Sequence, residues 1–153
     1  MNVLVTGANG FIGNNLSARL EFLGHNVVRA VRTAGHPDDV AVGDIGSETD
    51  WSEALQGVDC VIHCAARAHV MNESDAASLE VYRSVNVAGT QRLAEQAAQS
   101  GVVRLIYLSS IKVNGESTKP GEPFFDTDEP APKDSYATSK WQAEQVLLEI
   151  SKQ

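Results

Sequence analysis

Tyr136 and Lys140 in "YATSK" stand four residues apart, so a helix sets a phenol one turn from an ammonium. Free tyrosine titrates near pH 10 and is a poor base at neutrality, but a neighbouring positive charge favours its phenolate. Such a pair can exchange a proton with a substrate hydroxyl or carbonyl. A second cluster lies at the other end of the chain. "TGANGFIG" sets Gly7, Gly10 and Gly13 in the pattern G-x-x-G-x-x-G. An apolar run precedes it and a helical pattern begins inside it, which is the setting of a dinucleotide-binding turn. Gly7 permits the tight turn, Gly10 lets backbone approach a pyrophosphate, and Gly13 lets helix pack on strand. Asn9, Phe11 and Ile12 share the turn and are candidate cofactor contacts. The free N–H groups of the helix start favour an anion.

Each residue also has a plain structural reading. Tyr136, Lys140, Ala143 and Leu147 share one helical stripe, so Tyr136 also suits a core edge. The glycines also suit an ordinary strand-to-helix turn.

The elements that must position these groups alternate along the chain. Apolar runs predict strands at 2–6, 26–31, 40–44, 58–65 and 103–109. Helical spacing predicts helices over 11–23, where Gly24 is the stop signal, and briefly over 48–56. A long helical segment follows at 74–100, with a stripe of Leu79, Tyr82, Asn86, Gly89, Leu93 and Ala97. Residues 115–134 hold four prolines and six acidic residues and read as an exposed loop. The last helix starts near 135. Continuous apolar strands alternating with helices predict an α/β fold, a doubly wound parallel sheet covered on both faces. Right-handed crossovers favour the strand order 3-2-1-4-5. Nothing marks an internal boundary, so residues 1–153 read as one dinucleotide-binding domain.

The tip of the second strand bears on cofactor choice. An acid there bonds the adenosine ribose, whereas an arginine pairs with a 2′-phosphate. The stretch "VVRAVRT" offers Arg32 and no acid, which leans toward NADP over NAD. Asp44 and Ile45, after the third strand, are candidates for the adenine amine and ring face. The net charge of −8 argues against a nucleic-acid partner. Cys60 and Cys64 lie roughly 13 Å apart on one strand face, too far to bridge, so both are expected reduced and buried, in a cytoplasmic protein. No charged leader or long apolar segment predicts a signal peptide or a membrane span. No His/Cys/carboxylate cluster has metal-ligand spacing.

Six spaced motifs carry a resemblance: "TGANGFIG" (6–13), "GDI" (43–45), "HCAA" (63–66), "NVAGT" (86–90), "LSSIKVNG" (108–115) and "YATSK" (136–140). With these, the chain resembles the extended short-chain dehydrogenase/reductase family, the NAD(P)-dependent nucleotide-sugar epimerases, dehydratases and reductases. Cys64 and Asn114 depart slightly from the family pattern. The resemblance implies a catalytic set of Ser110, Tyr136 and Lys140, with Ser109 as the fallback serine. It implies that Asn86 positions the lysine through the last helix, and that Cys64, Ala65, Ala66 and Ser109 border the cofactor beside Tyr136 and Lys140. Arg67 and His69, after the fourth strand, are candidate substrate contacts, though loop residues serve equally. His63 reads as structural. The implied reaction is hydride transfer at a sugar carbon of a nucleotide-sugar, by 4-epimerisation or 4-keto reduction. Family members often dimerise through the fourth and last helices, so a homodimer is also among the expectations.

Members of this family usually run to about twice this length, adding a sixth strand and a smaller substrate domain. The chain is therefore expected to be a truncated form, with an open edge at the fifth strand and impaired turnover. A non-catalytic dinucleotide-binding module, acting as sensor or scaffold, is the alternative.

Overall fold

The structure, a computed structural model, describes residues 1–68 and 75–152. Five apolar runs form the strands β1 (Asn2–Thr6), β2 (Asn26–Val31), β3 (Asp39–Ala41), β4 (Cys60–His63) and β5 (Arg104–Tyr107). They make one parallel sheet in the order β3-β2-β1-β4-β5, as the alternation predicts. The helices are α1 (Phe11–Phe22), α2 (Asp75–Tyr82), α3 (Gly89–Gln99) and α4 (Ser135–Ile150).

Five elements differ from expectation. The long helical segment is not uniform: Arg83–Ala88 forms a π-helical stretch between α2 and α3. The brief helix expected at 48–56 is a series of turns. Trp51 is fully buried there, its backbone N–H donating to Gln96 Oε1 at 2.9 Å, and the Ser52 backbone N–H donates to Asp50 Oδ1 at 2.9 Å. These side-chain acceptors compete with a helical ladder. The third, fourth and fifth strands are shorter than their apolar runs.

Alternation along the strands divides the core into two layers. Leu4, Val61 and Leu105 pack with Leu93 and Ala97 of α3 and with Trp51 and Leu55. Val3, Val5, Val31 and Cys60 face the other way, against Leu16 and Leu20 of α1. Cys60 is buried, but Cys64 is only half-buried, and both are free thiols. The order of strands reverses between β1 and β4, and such a switch point opens a crevice at the strands' carboxyl ends. Among the described residues β5 pairs only with β4. Beside its other edge, α3 and α4 wall a groove of about 610 Å³, lined by Ala94, Ala98, Leu105, Leu147 and Leu148. No described helix is long and apolar enough to cross a membrane.

Candidate functional site

The glycine turn sits at the carboxyl end of β1. Gly7 adopts φ +64°, and a Cβ there would stand 3.0 Å from the Cα and N of Ala65. The turn and the "HCAA" stretch are thus in direct backbone contact across the switch point. A Cβ on Gly13 would fall 2.2 Å from the Gly7 carbonyl oxygen, so α1 starts hard against the turn. The Gly10 N–H donates to Gly7 O at 2.9 Å, and Gly10 heads α1 with no side-chain cap and no acid in the first turn. The first N–H groups of α1 therefore have no partner within the helix. Arg29 braces the turn from β2, donating to Ala8 O at 3.2 Å while Asp39 holds its Nε at 3.1 Å. Asn9, Gly10, Phe11 and Ile12 are exposed, Phe11 by 90%. Free donors, positive helix potential and an absence of Cβ atoms fit a pyrophosphate.

Register aligns Thr6, His63 and Tyr107 side by side at the ends of β1, β4 and β5. Thr6 Oγ1 accepts from Ala65 N–H at 3.1 Å, so its own proton serves His63 Nδ1 at 2.6 Å. Nε2–H of His63 is then left to donate to Thr90 Oγ1 of α3 at 3.0 Å. Burial, helped by the Lys140 charge, lowers the His63 pKa to about 3, and the ring is neutral. Its place in this chain of bonds is structural.

Lys140 comes from α4 onto the same row. Its side chain is 2% exposed, and Nζ lies 4.0 Å from the centre of the Tyr107 ring. Burial lowers its pKa to about 8, against the opposing influence of Glu144 and Cys64. Burial in turn raises the Cys64 thiol, with Lys140 opposing.

Tyr136, one turn before Lys140, is half-buried, its ring 6.1 Å from Tyr82 in an edge-on contact. Asn86 sits in the π-helical stretch and is 2% exposed. Its Oδ1 accepts from Arg67 N–H at 2.8 Å, and its Nδ2 donates to Arg67 O at 3.1 Å and to Ser139 Oγ at 2.9 Å. Ser139 passes its own proton to Tyr136 O at 2.7 Å. One amide thus links the loop after β4 to the turn of α4 that carries both Tyr136 and Lys140. That arrangement uses Arg67 through its backbone. His69 lies outside the described residues.

Ser109 and Ser110 separate cleanly. Ser109 Oγ donates to the Glu144 carboxylate, and both line the groove at the edge of β5. Ser110 opens the short 3-10 turn Ile111–Val113, and its Oγ accepts from Lys112 N–H at 3.3 Å. Lys112 Nζ reaches Asp134 at 2.6 Å, and Asp134 caps α4 by accepting from Ala137 N–H at 2.6 Å. The segment after Ser110 is therefore tied to the residue two before Tyr136.

At the tip of β2, Arg32 does not stand alone. Its Nε lies 2.8 Å from Asp44 Oδ1, with both side chains exposed. The acid missing from the β2 tip is supplied by the end of β3, beside the arginine. Ile45 packs on α3, where a Cβ at Gly89 would meet its Cγ2 at 2.4 Å. Among the described residues no group of three or more His, Cys, Asp or Glu side chains is placed to hold a metal.

Sequence reasoning missed Tyr107, Glu144, Ser139 and the Lys112–Asp134 pair. Asp134 was readable as an N-cap ahead of the last helix. Tyr107 carried a weaker signal, its place one alternation beyond half-buried Leu105.

A sequence model described as the NAD dependent epimerase/dehydratase family matches residues 3–153. The chain is 48% identical over 155 residues to UDP-glucose 4-epimerase of Vibrio cholerae, covering 99% of this chain and 47% of that protein. It is similar to the solved structure of MoeE5 in complex with UDP-glucose and NAD, with TM-score 0.85 and 32% identity, covering 100% of this chain and 50% of that one. It is also similar to UDP-glucuronic acid 4-epimerase from Bacillus cereus in complex with NAD, with TM-score 0.81 and 25% identity, covering 99% and 53%. The chain spans about half the length of the curated relatives it matches. With the glycine turn, the switch-point crevice and the strand order in agreement, the chain belongs to the NAD dependent epimerase/dehydratase family.

Proposed function

We propose that this chain is the cofactor-binding half of a nucleotide-sugar 4-epimerase or 4-keto-sugar reductase, with Ser110, Tyr136 and Lys140 as its catalytic residues. The observation that carries the reading is the pairing of two features around one crevice. One is an uncapped helix start behind three close-packed glycines; the other is a buried lysine one turn from a tyrosine. The similarity to UDP-glucose 4-epimerase supports a UDP-hexose as substrate. Bound nicotinamide supplies a hydride acceptor and donor. Gly7, Gly10 and Gly13 hold its diphosphate on backbone N–H groups. Tyr136 takes the proton from the sugar hydroxyl and returns it, Ser110 donates to the same oxygen, and Lys140 keeps positive charge beside the phenol. Asn86 positions α4 for both.

The cofactor we assign is NAD. Asp44 already neutralises Arg32, so a 2′-phosphate meets an ion pair there rather than a bare guanidinium. An exposed pair of this kind contributes little, roughly 0–1 kcal/mol. Calorimetric titration with NADH and NADPH tests the assignment. NADH is expected to bind more tightly, and Arg32→Ala to change its affinity by less than about fivefold. Tighter NADPH binding that Arg32→Ala removes would reverse the choice of cofactor.

A second reading, a dinucleotide-binding module without turnover, rests on the glycine turn and the switch-point crevice alone. We propose that the chain alone turns over slowly, and that joining it to the remaining half of a relative raises the rate. Equal rates of UDP-glucose epimerisation for the two would contradict this, and absence of rate in both would favour the binding module.

A further inference from the structure

We propose that Tyr107 is a positioning residue for Lys140: the face of its ring holds the buried ammonium in place and charged, with Glu144 as the supporting anion. The proposal deepens the reading of Lys140 as a catalytic group and rests on it. The geometry is specific. Lys140 is 2% exposed and its Nζ lies 4.0 Å from the ring centre. An ammonium largely withdrawn from water loses its proton more readily, and an aromatic face is one of few apolar surfaces that attract it.

The ring is itself fixed. Tyr107 ends β5 in register with His63, whose ring lies 5.7 Å away. The Tyr107 hydroxyl is buried beside Thr90, and the residue meets Lys140 through its ring face. The charged and titratable groups facing Lys140 come from three elements. His63 and Cys64, at the end of β4, are neutral imidazole and thiol, each disfavoured in its charged form by burial. Tyr107 ends β5, and burial raises its phenol as well. Tyr136 and Glu144 lie on α4, and of these groups Glu144 is the carboxylate. Ser109, the neighbour of Ser110, donates to the Glu144 carboxylate and so orients it.

Burial lowers the Lys140 pKa to about 8, so the titration of its ammonium reads the effect directly. Removing an attractive ring face favours the neutral amine, so the midpoint falls. In the full 153-residue chain, the ¹³Cε resonance of Lys140 is followed against pH by NMR. Tyr107→Leu is expected to lower the midpoint by about one unit, a tenfold gain in amine at a given pH. Tyr107→Phe keeps the face and is expected to leave it within about 0.3 unit. Glu144→Gln lowers it by a smaller amount. Should the leucine variant fail to fold, pentafluorophenylalanine at position 107 inverts the ring's charge distribution at similar shape and is expected to act as leucine does. An unchanged or raised midpoint in the leucine or pentafluoro form overturns the proposal. An NAD⁺ titration run in parallel keeps the two readings apart. A lowered midpoint without NAD⁺ binding leaves the ring's role standing and removes the enzymatic reading. Intact NAD⁺ binding with no midpoint change does the reverse.

Discussion

The Tyr136→Phe chain is expected to bind NAD⁺ as tightly as the parent and to lose roughly 10²- to 10⁴-fold of the proposed epimerisation rate, the range for a positioned acid–base group. The substitution deletes one oxygen and leaves the scaffold in place. Tyr136 lies in the first turn of α4, whose start is held by the Asp134 cap and by the bond from Lys112. Its backbone carbonyl is held by Ser139, and Ser139 by Asn86. Its ring keeps the edge contact with Tyr82 whether or not it carries a hydroxyl. A fall in rate with unchanged thermal unfolding and unchanged NAD⁺ titration therefore reports proton transfer alone. Interconversion of UDP-glucose and UDP-galactose, followed by separation of the two sugars, gives the rate. A phenylalanine variant at parental rate would remove the phenol from the chemistry.

The second large effect is structural. Gly13→Ala is expected to destabilise the chain by about 2–3 kcal/mol and to weaken NAD⁺ at least about tenfold. The new Cβ would lie 2.2 Å from Gly7 O, 2.8 Å from Gly7 C and 3.0 Å from Ala8 Cα, all backbone or fixed atoms. No rotamer relieves such a clash, so α1 must retreat from the turn. That retreat loosens Leu16 and Leu20 on Val3 and Val5, and it moves the uncapped N–H groups away from the crevice. Alanine's better helix propensity returns up to about 1 kcal/mol, which is included in the range. Gly35→Ala is the control: its Cβ would meet nothing within 4 Å, so it is expected to change stability by less than about 0.5 kcal/mol. Urea unfolding and calorimetry measure both. A Gly13→Ala chain as stable as the control would mean that the turn is not packed as described.

What the sequence made legible was whatever local chemistry decides. Strands such as Asn2–Thr6 and Asn26–Val31 are short apolar runs between turn signals, and their order follows from crossover handedness once they are read as parallel. The glycine turn was readable because each glycine answers a backbone requirement within seven residues. Contacts between distant elements were not readable. The π-helical stretch at Arg83–Ala88 contains Asn86, whose partners Arg67 and Ser139 lie 19 and 53 residues away. Arg32 and Asp44 each made sense singly as adenosine contacts, and nothing in their spacing indicated that they pair with one another. The turns at 48–56 look helical by periodicity, yet Gln96 takes the Trp51 backbone N–H from across the fold. Burial of Lys140 over Tyr107 belongs to the same class, because a stripe on α4 does not say which strand it will cover.

The proposed function requires a dinucleotide across the β1–β4 switch point, its diphosphate on the glycine turn and its nicotinamide beside Tyr136 and Lys140. Titration of the ¹⁵N-labelled chain with NAD⁺, followed by amide NMR, tests it without requiring turnover. Saturable shifts are expected at Gly7, Gly10, Gly13, Ala65, Ser110 and Lys140, with Ala98 and Leu148 in the groove beside β5 unmoved. Saturating shifts confined to that groove, or none anywhere at millimolar NAD⁺, would contradict it.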